Sequence, residues 1–364
     1  MFDKENVSFQ NSNLKTHRIN HILRIIKNFE FFFTKKSKKY YFQLLVKEIC
    51  QIFEYPKDSI KYFLNLFPIS ETLKFIEFNE KPRPLTIRFN ALKENIQEIK
   101  YNLEKKGIKI FCLDKPFNVA GIIVKSKMKI GNISEFLGGY YTLQSVASLL
   151  PVLSLDPKKS ERILDIAAAP GGKSTFISQL MENKGVLVAN DKNKIRIKSL
   201  VSSIHRMGIT NCIVTNLDGT VLPFLLKGFD KVLIDAPCTG TGIISHDLHI
   251  KLKNISKKTS VNFTSQKRLL LAAIDACNER SINGGIIVYS TCSILVEENE
   301  CVIQYAIQNR NVKIIETGLN FGMPGYKKFK GTVFNDNMEK CRRFFPHVHN
   351  TDGFFICKLK KFPS

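Results

Sequence analysis

The stretch Asp165-Ile166-Ala167-Ala168-Ala169-Pro170-Gly171-Gly172-Lys173-Ser174 decides the fold. It sets a glycine pair between an apolar run, 162–166, and a segment of helical periodicity, 173–182. Glycines at such a junction let the backbone reach positive φ and approach a ligand closely. The turn is similar to a phosphate loop, GxxxxGK[ST], but the first required glycine falls at Ala167, so the match fails. A nucleotide triphosphatase is left as the weaker alternative.

Downstream, strands are predicted at 186–190, 212–215, 231–235 and 286–290, with helices at 193–207, 264–280 and 297–309. Alternation of this kind gives an α/β domain, a mostly parallel sheet with helices on both faces. Ligands of such sheets bind at the carboxyl ends of the strands. Asp191 ends the second strand, where a carboxylate can accept both ribose hydroxyls of an adenosine. Asp218 follows the third, where a carboxylate can accept from an adenine amine. Either aspartate alone would serve equally well as a helix cap or turn residue. With Asp235 after the fourth strand, three acids follow successive strands, and S-adenosylmethionine fits as a cofactor that carries adenosine without a triphosphate.

Two cysteines sit at strand-to-loop junctions of the same sheet: Cys238, in Ile234-Asp235-Ala236-Pro237-Cys238-Thr239-Gly240-Thr241-Gly242, and Cys292, in Tyr289-Ser290-Thr291-Cys292-Ser293. One such cysteine could be a packed thiol. Two suggest a covalent step and a separate partner that undoes it. Cys277 and Cys301, on helices, read as packed residues, and no Cys/His cluster has zinc spacing, so no metal is expected.

The chain has 364 residues and a net charge of +23, with no apolar run of 18 and no signal-peptide pattern. An intracellular chain with reduced cysteines and no membrane span is expected. Lysines outnumber arginines 43 to 12. The charge points to a polyanionic partner, although lysine-rich, tryptophan-free composition also arises from AT-rich coding. Residues 1–40 read as a basic tail ending in Lys35-Lys36-Ser37-Lys38-Lys39, a nuclear signal, an RNA contact or a solvated run. Residues 41–80 read as a helical segment broken by Pro56 and Pro68, and 81–140 as a small α/β unit of RNA-binding type. In it, strands are expected at 85–90, 108–112 and 121–125, and a helix at 91–106. A helix beginning near Leu143 then opens the catalytic domain, 141–364. The segment 245–253, with Lys251 and Lys253, and then Lys257 and Lys258, suits a loop that tracks phosphates.

In order and spacing, DIAAAPGGKS, NDKN, NLDGT, LIDAPCTGTG, YSTCSI and RRFFPHVHNTDGFF resemble the RsmB/Nop/Sun family of RNA cytosine-C5 methyltransferases, above all its nucleolar branch acting on large-subunit rRNA. The resemblance covers about residues 60–361. It implies a class I, Rossmann-like S-adenosylmethionine-dependent domain behind a small RNA-binding unit and N-terminal helices. By the family's pattern Cys292 attacks carbon 6 of cytosine, Cys238 assists release, Asp235 holds the N3/N4 edge of the base, and Lys173 reaches into the same site. The methyl donor falls to Ala167, Ala168, Ala169, Pro170, Gly171, Gly172 and Lys173, with Asp191, Asp218 and Asp235. Many relatives carry cysteine at Ala167 or Ala168, a position asked to do no chemistry. His347 and His349 carry no firm role. The implied setting is the nucleus and nucleolus, and the implied partner is rRNA or a pre-ribosomal particle, with a monomer outside it. A DNA cytosine methyltransferase needs no cysteine at Cys292. A tRNA methyltransferase and a non-catalytic assembly factor are the remaining alternatives.

Overall fold

Proline placement shapes the first of two units. In this computed structural model, which describes residues 17–31, 36–252, 255–282 and 284–363, chain contacts divide the described residues into 1–81 with 244–258, and 82–243 with 259–364. Most of the basic tail (residues 1–16 and 32–35) and Lys253 lie outside the described residues, as do the side chains of Lys257 and Lys258. The first unit holds the helices Lys38–Phe53, Lys57–Leu66 and Ile69–Asn79. Pro56 and Pro68 occupy the caps of the second and third, where a missing N–H costs nothing. Leu45, Ile49, Ile60, Phe63, Phe75 and Ile76 form the buried stripe. Lys251 belongs to this unit, 7% exposed, 3.0 Å from the Glu80 carboxylate and 5.1 Å over the Tyr55 ring. The expectation that it tracks phosphates is therefore corrected: its charge is already spent on Glu80.

The second unit begins with a small antiparallel sheet ordered β2-β3-β1-β4, from β1 (Thr86–Phe89), β2 (Lys109–Cys112), β3 (Ala120–Lys125) and β4 (Tyr141–Leu143). The helix Ile96–Lys105, capped by Asn95, buries Ile99 and Leu103 against Ile87, Phe89, Ile110 and Tyr141. The helix expected near Leu143 is instead β4, paired with β1 through Leu143–Ile87 and Tyr141–Phe89. A 3-10 helix covers Val146–Leu149 and runs into the α-helix Leu150–Leu155, where Pro151 is accommodated in the first turn.

The larger sheet carries β5 (Arg162–Asp165), β6 (Val186–Asn190), β7 (Cys212–Thr215), β8 (Lys231–Asp235) and β9 (Ile286–Thr291) in the parallel order β7-β6-β5-β8-β9. This is the Rossmann-like arrangement, and β8 and β5 meet at its centre. The C-terminal part adds strands the sequence reading missed: β10 (Val312–Ile315), short β11 (Met323–Pro324), the hairpin β12–β13 (Lys328–Phe329, Thr332–Val333), β14 (Arg342–Phe344) and β15 (Phe354–Lys361). β15 runs antiparallel to β9, and β10 and β14 pair with β15. The helices Leu150–Leu155 and Gly172–Leu180 share a dry core with Ile163, Leu187, Leu233, Val288 and Ile356.

Candidate active site

Four chain segments meet at the carboxyl ends of β5, β8 and β9. At the end of β5, Gly171 has φ +105°, and an added Cβ would meet Leu200 at 3.0 Å and Ser203 at 3.1 Å, so only glycine serves there. The turn feeds the helix Gly172–Leu180, whose first turn carries Lys173. Ser174 donates to the buried Asp165 carboxylate at 2.7 Å and fixes this turn to β5.

Lys173 Nζ lies 2.6 Å from Asp235 Oδ2, at the end of β8, and Ser290 Oγ donates to Asp235 Oδ1 at 3.0 Å. Burial alone would lower the Lys173 pKa. The charge and hydrogen bond of Asp235 outweigh it, with Cys292 and Asp165 adding smaller pulls, so the ammonium is held above its ordinary value. Lys173 also sits 5.6 Å from the Phe354 ring.

The two thiols face each other with Sγ–Sγ 3.3 Å. The hydrogen bond to Cys292, then burial, then negative charge at Cys292 and Glu298, raise the Cys238 pKa well above the usual thiol value. Elsewhere, burial pushes Cys212, Cys277 and Cys301 up to about 12. These are inert packed thiols. Cys277 lies just past the helix end at Ala276 rather than on the helix.

Several groups that hold the thiols escaped the sequence reading. Glu298, wholly buried, accepts from Thr239 N at 2.9 Å, Thr239 Oγ1 at 2.7 Å and Asn262 Nδ2 at 2.9 Å. Gly242 N donates to Cys292 O at 2.9 Å, and Gly353 N to Gly242 O at 2.8 Å. A Cβ on Gly242 would overlap the Gly353 carbonyl, so both loops need glycine to touch. Buried Arg343 pairs with Glu300 and donates to Ile294 O at 3.0 Å, two residues beyond Cys292. The repeated glycines of the two motifs were the available signal. Glu298 and Glu300 had none, because acids opening a helix ordinarily face water. His349 Nδ1 accepts from Phe345 N at 3.0 Å and His347 packs 6.0 Å from the Phe345 ring, so both brace the β14 end.

The donor set fits an adenosine-bearing methyl donor better than a triphosphate. Lys173, which a phosphate loop would offer to phosphate, is committed to Asp235. Asp191 is buried, with Ala169 N at 3.2 Å and Asn193 N at 2.8 Å on its oxygens and Arg196 Nη1 at 3.3 Å. Asp218 is exposed, and Thr220 N and Oγ1 bond its Oδ1 at 2.9 and 2.8 Å and lower its pKa. Both aspartates therefore also serve as turn caps, each with acceptor capacity left for a ligand hydroxyl or amine. Ala168 and Ala169 are buried under the turn. Three carboxylates around the cleft would repel a polyphosphate. Among the described residues no cluster of His, Cys, Asp and Glu could hold a metal.

Residues 152–360 match the family described as 16S rRNA methyltransferase RsmB/F. The 28S rRNA (cytosine-C(5))-methyltransferase of Mus musculus is 44% identical over 90% of this chain and 42% of its own length. The 25S rRNA (cytosine-C(5))-methyltransferase nop2 of Schizosaccharomyces pombe is 43% identical over 94% of this chain and 57% of its own. The chain thus spans about half the length of these relatives. A crystal structure of a methyltransferase homologue from Pyrococcus horikoshii superposes with a TM-score of 0.77 at 33% identity, over 87% of this chain and 99% of that one. With the parallel sheet, the glycine turn and the paired thiols in place, the chain belongs to the RsmB/F family of methyltransferases.

Proposed function

We propose that this chain methylates carbon 5 of cytosine in large-subunit rRNA, using S-adenosylmethionine. The observation that carries the reading is the pair Cys238 and Cys292, 3.3 Å apart, beside the Lys173–Asp235 pair. S-adenosylmethionine, when bound, supplies an electrophilic methyl group, and the turn Ala167–Lys173 with Asp191, Asp218 and Asp235 would hold it. The chain's own residues then prepare the other reactant. Cytosine carbon 5 is a poor nucleophile. The Cys292 thiolate adds to carbon 6, and the electron pair of the 5,6 double bond moves toward carbon 5. Asp235, pinned by Lys173 and Ser290, accepts from the N4 amine of the base and fixes its plane.

After transfer, carbon 5 carries both methyl and hydrogen. A base takes that proton, the C–H pair re-forms the double bond, and the carbon–sulfur bond breaks to return the Cys292 thiolate. Cys238, whose surroundings make its thiolate strongly basic, is placed to assist this release. The target cytosine must be single-stranded or flipped, since carbon 6 is closed to a thiol within a duplex. The nucleolar setting, a pre-ribosomal particle as partner and a monomer outside it belong to the same reading.

The test is methyl transfer from labelled S-adenosylmethionine to unmodified large-subunit rRNA, tRNA and duplex DNA, with the product base identified. Five-methylcytosine in rRNA, lost in Cys292→Ala, is expected, and Cys238→Ala should accumulate an RNase-sensitive covalent adduct. Product in tRNA alone overturns the substrate, and full turnover by Cys292→Ala overturns the mechanism. A lack of transfer both to naked RNA and to pre-ribosomal particles favours an assembly factor.

A further inference from the structure

We propose that the outer face of the β2–β3 ladder is a stacking platform for single-stranded RNA, separate from the cleft that holds the thiols; it rests on RNA as the substrate class proposed above. Strand β2 alternates outward and inward: Lys109 and Phe111 are exposed, and Ile110 is 7% exposed in the small core. Period-two alternation puts Lys109 and Phe111 on one face, about 7 Å apart along the strand. Across the ladder Lys109 stands directly opposite Lys125, and Phe111 opposite Ile122. The register shifts between Lys109 and Ile110, which leaves Val124 as the extra residue. Beyond β3, Lys127 and Lys129 are exposed as well.

Three features of this face work against stability in the free protein. Like charges directly opposite in an antiparallel pair repel. Among the described residues neither Lys109 nor Lys125 has an acidic partner within ion-pair distance. Phe111 is 60% exposed and Val124 66% exposed, so the face presents apolar surface beside the repelling lysines.

Lysines on an edge strand have an ordinary use, to discourage pairing with another chain. That accounts for Lys109 and fails for Phe111 and Val124, which an edge guarded against aggregation would replace. A ligand that resolves all three features carries closely spaced negative charges and flat apolar surfaces. Single-stranded RNA has both: phosphates for Lys109 and Lys125, and a base face for the Phe111 ring. An acidic peptide would satisfy the lysines and leave the aromatic ring without use.

The test uses the full chain and a fluorescent unstructured RNA oligonucleotide, read by anisotropy over a range of salt. Phe111→Ala should weaken binding roughly 5- to 100-fold, because stacking on an aromatic is sequence-tolerant and strong, while Phe111→Trp keeps it. Lys109→Glu with Lys125→Glu should lower the slope of log K against log salt by roughly 1.4, two phosphate contacts at about 0.7 each. These side chains are exposed, so circular dichroism should show an unchanged fold. In methyl transfer, Phe111→Ala should raise KM and leave kcat unchanged. Wild-type affinity in Phe111→Ala, or a salt slope untouched by the lysine reversals, overturns the platform. So does competition by poly-glutamate that Phe111→Ala does not alter. These readouts are binding, so the platform stands or falls even if the chain methylates nothing.

Discussion

Replacing Glu298 should loosen the loop of Cys238 without touching either thiol. The carboxylate is fully buried and holds three donors, two of them on Thr239, the residue after Cys238. Hydrogen bonds to a charged acceptor contribute about 1.5–3 kcal/mol each, and buried donors left unpaired cost their desolvation. In Glu298→Ala the Thr239 hydroxyl can turn to Ser293 Oγ, 3.3 Å away. The Thr239 amide and the Asn262 amide have no such substitute. Two orphaned donors and one weakened bond come to about 3–5 kcal/mol of lost stability. Glu298→Gln keeps the shape and one acceptor oxygen but turns an N–H₂ toward a donor, so about 1–2 kcal/mol is expected. At about 2–4 °C per kcal/mol, Tm should fall by roughly 6–20 °C in Ala and roughly 2–8 °C in Gln. Glu298 is also one of the negative charges that raise Cys238, so removing it lowers the Cys238 pKa. Alkylation of Cys238 in Cys292→Ala should then begin at lower pH in Glu298→Gln. In single-turnover experiments the RNA adduct should form at a near-normal rate and decay several-fold more slowly. Wild-type melting, alkylation and adduct decay in Glu298→Gln would refute the carboxylate as the anchor of this loop.

Lys173→Met leaves Asp235 without its ammonium at 2.6 Å and should cut methyl transfer by roughly 10²-fold or more, with S-adenosylmethionine affinity measured separately by calorimetry. Gly242→Ala drives a methyl into the Gly353 carbonyl and should cost about 1–3 kcal/mol by denaturant melting, while Gly131→Ala, with open space around it, should be nearly neutral. Burial raises Asp165 to about 7 despite the Ser174 hydrogen bond, against an unfolded value near 3.9. The folded state therefore holds an extra proton between those values, and stability falls as pH rises from about 4 to about 7. Asp165→Asn removes this loss, so its Tm should gain on wild type at pH 8 and not at pH 4.

The parallel strands were readable because each is a short apolar run closed by a functional turn: 162–166 by the glycines, 231–235 by the Pro-Cys loop. β15 was not, because Phe354–Lys361 mixes apolar residues with lysines and shows neither a clean alternation nor a continuous apolar run, although Asp352-Gly353 marks a turn before it. Its antiparallel pairing with β9 is a long-range contact with no local signature. β4, Tyr141–Leu143, is only three residues long and follows the Gly138-Gly139 pair, too short a run to announce a strand. Gly139 is a glycine because, at φ +76°, an added Cβ would run into the Arg206 carbonyl. The site divides in the same way. Its proposed reacting groups stand in motifs with rigid spacing, whereas the residues that hold them, Glu298, Ser290 and Arg343, take their meaning from partners more than 40 residues away in the chain.

The deepest consequence of that division concerns the two sulfurs, which are chemically identical and 3.3 Å apart. Two equal thiols so close would share one proton indifferently and give the enzyme no fixed attacker. Their surroundings remove the symmetry. The hydrogen bond to Cys292 and burial, and after them the nearby Glu298 carboxylate, disfavour the Cys238 thiolate. Cys292 lies within electrostatic reach of the Lys173 ammonium, whose own charge is in turn favoured by Cys292. A negative neighbour on one side and a positive one on the other make the surroundings of the two sulfurs unequal. In the proposed reaction the two sulfurs would then take separate parts, Cys292 attacking and Cys238 assisting release. Weakening that asymmetry would take the removal of both charges, at Lys173 and at Glu298. In Lys173→Met/Glu298→Gln the difference in alkylation rate between the two thiols should be smaller than in the wild-type protein. Unchanged selectivity in the double variant would place the asymmetry elsewhere.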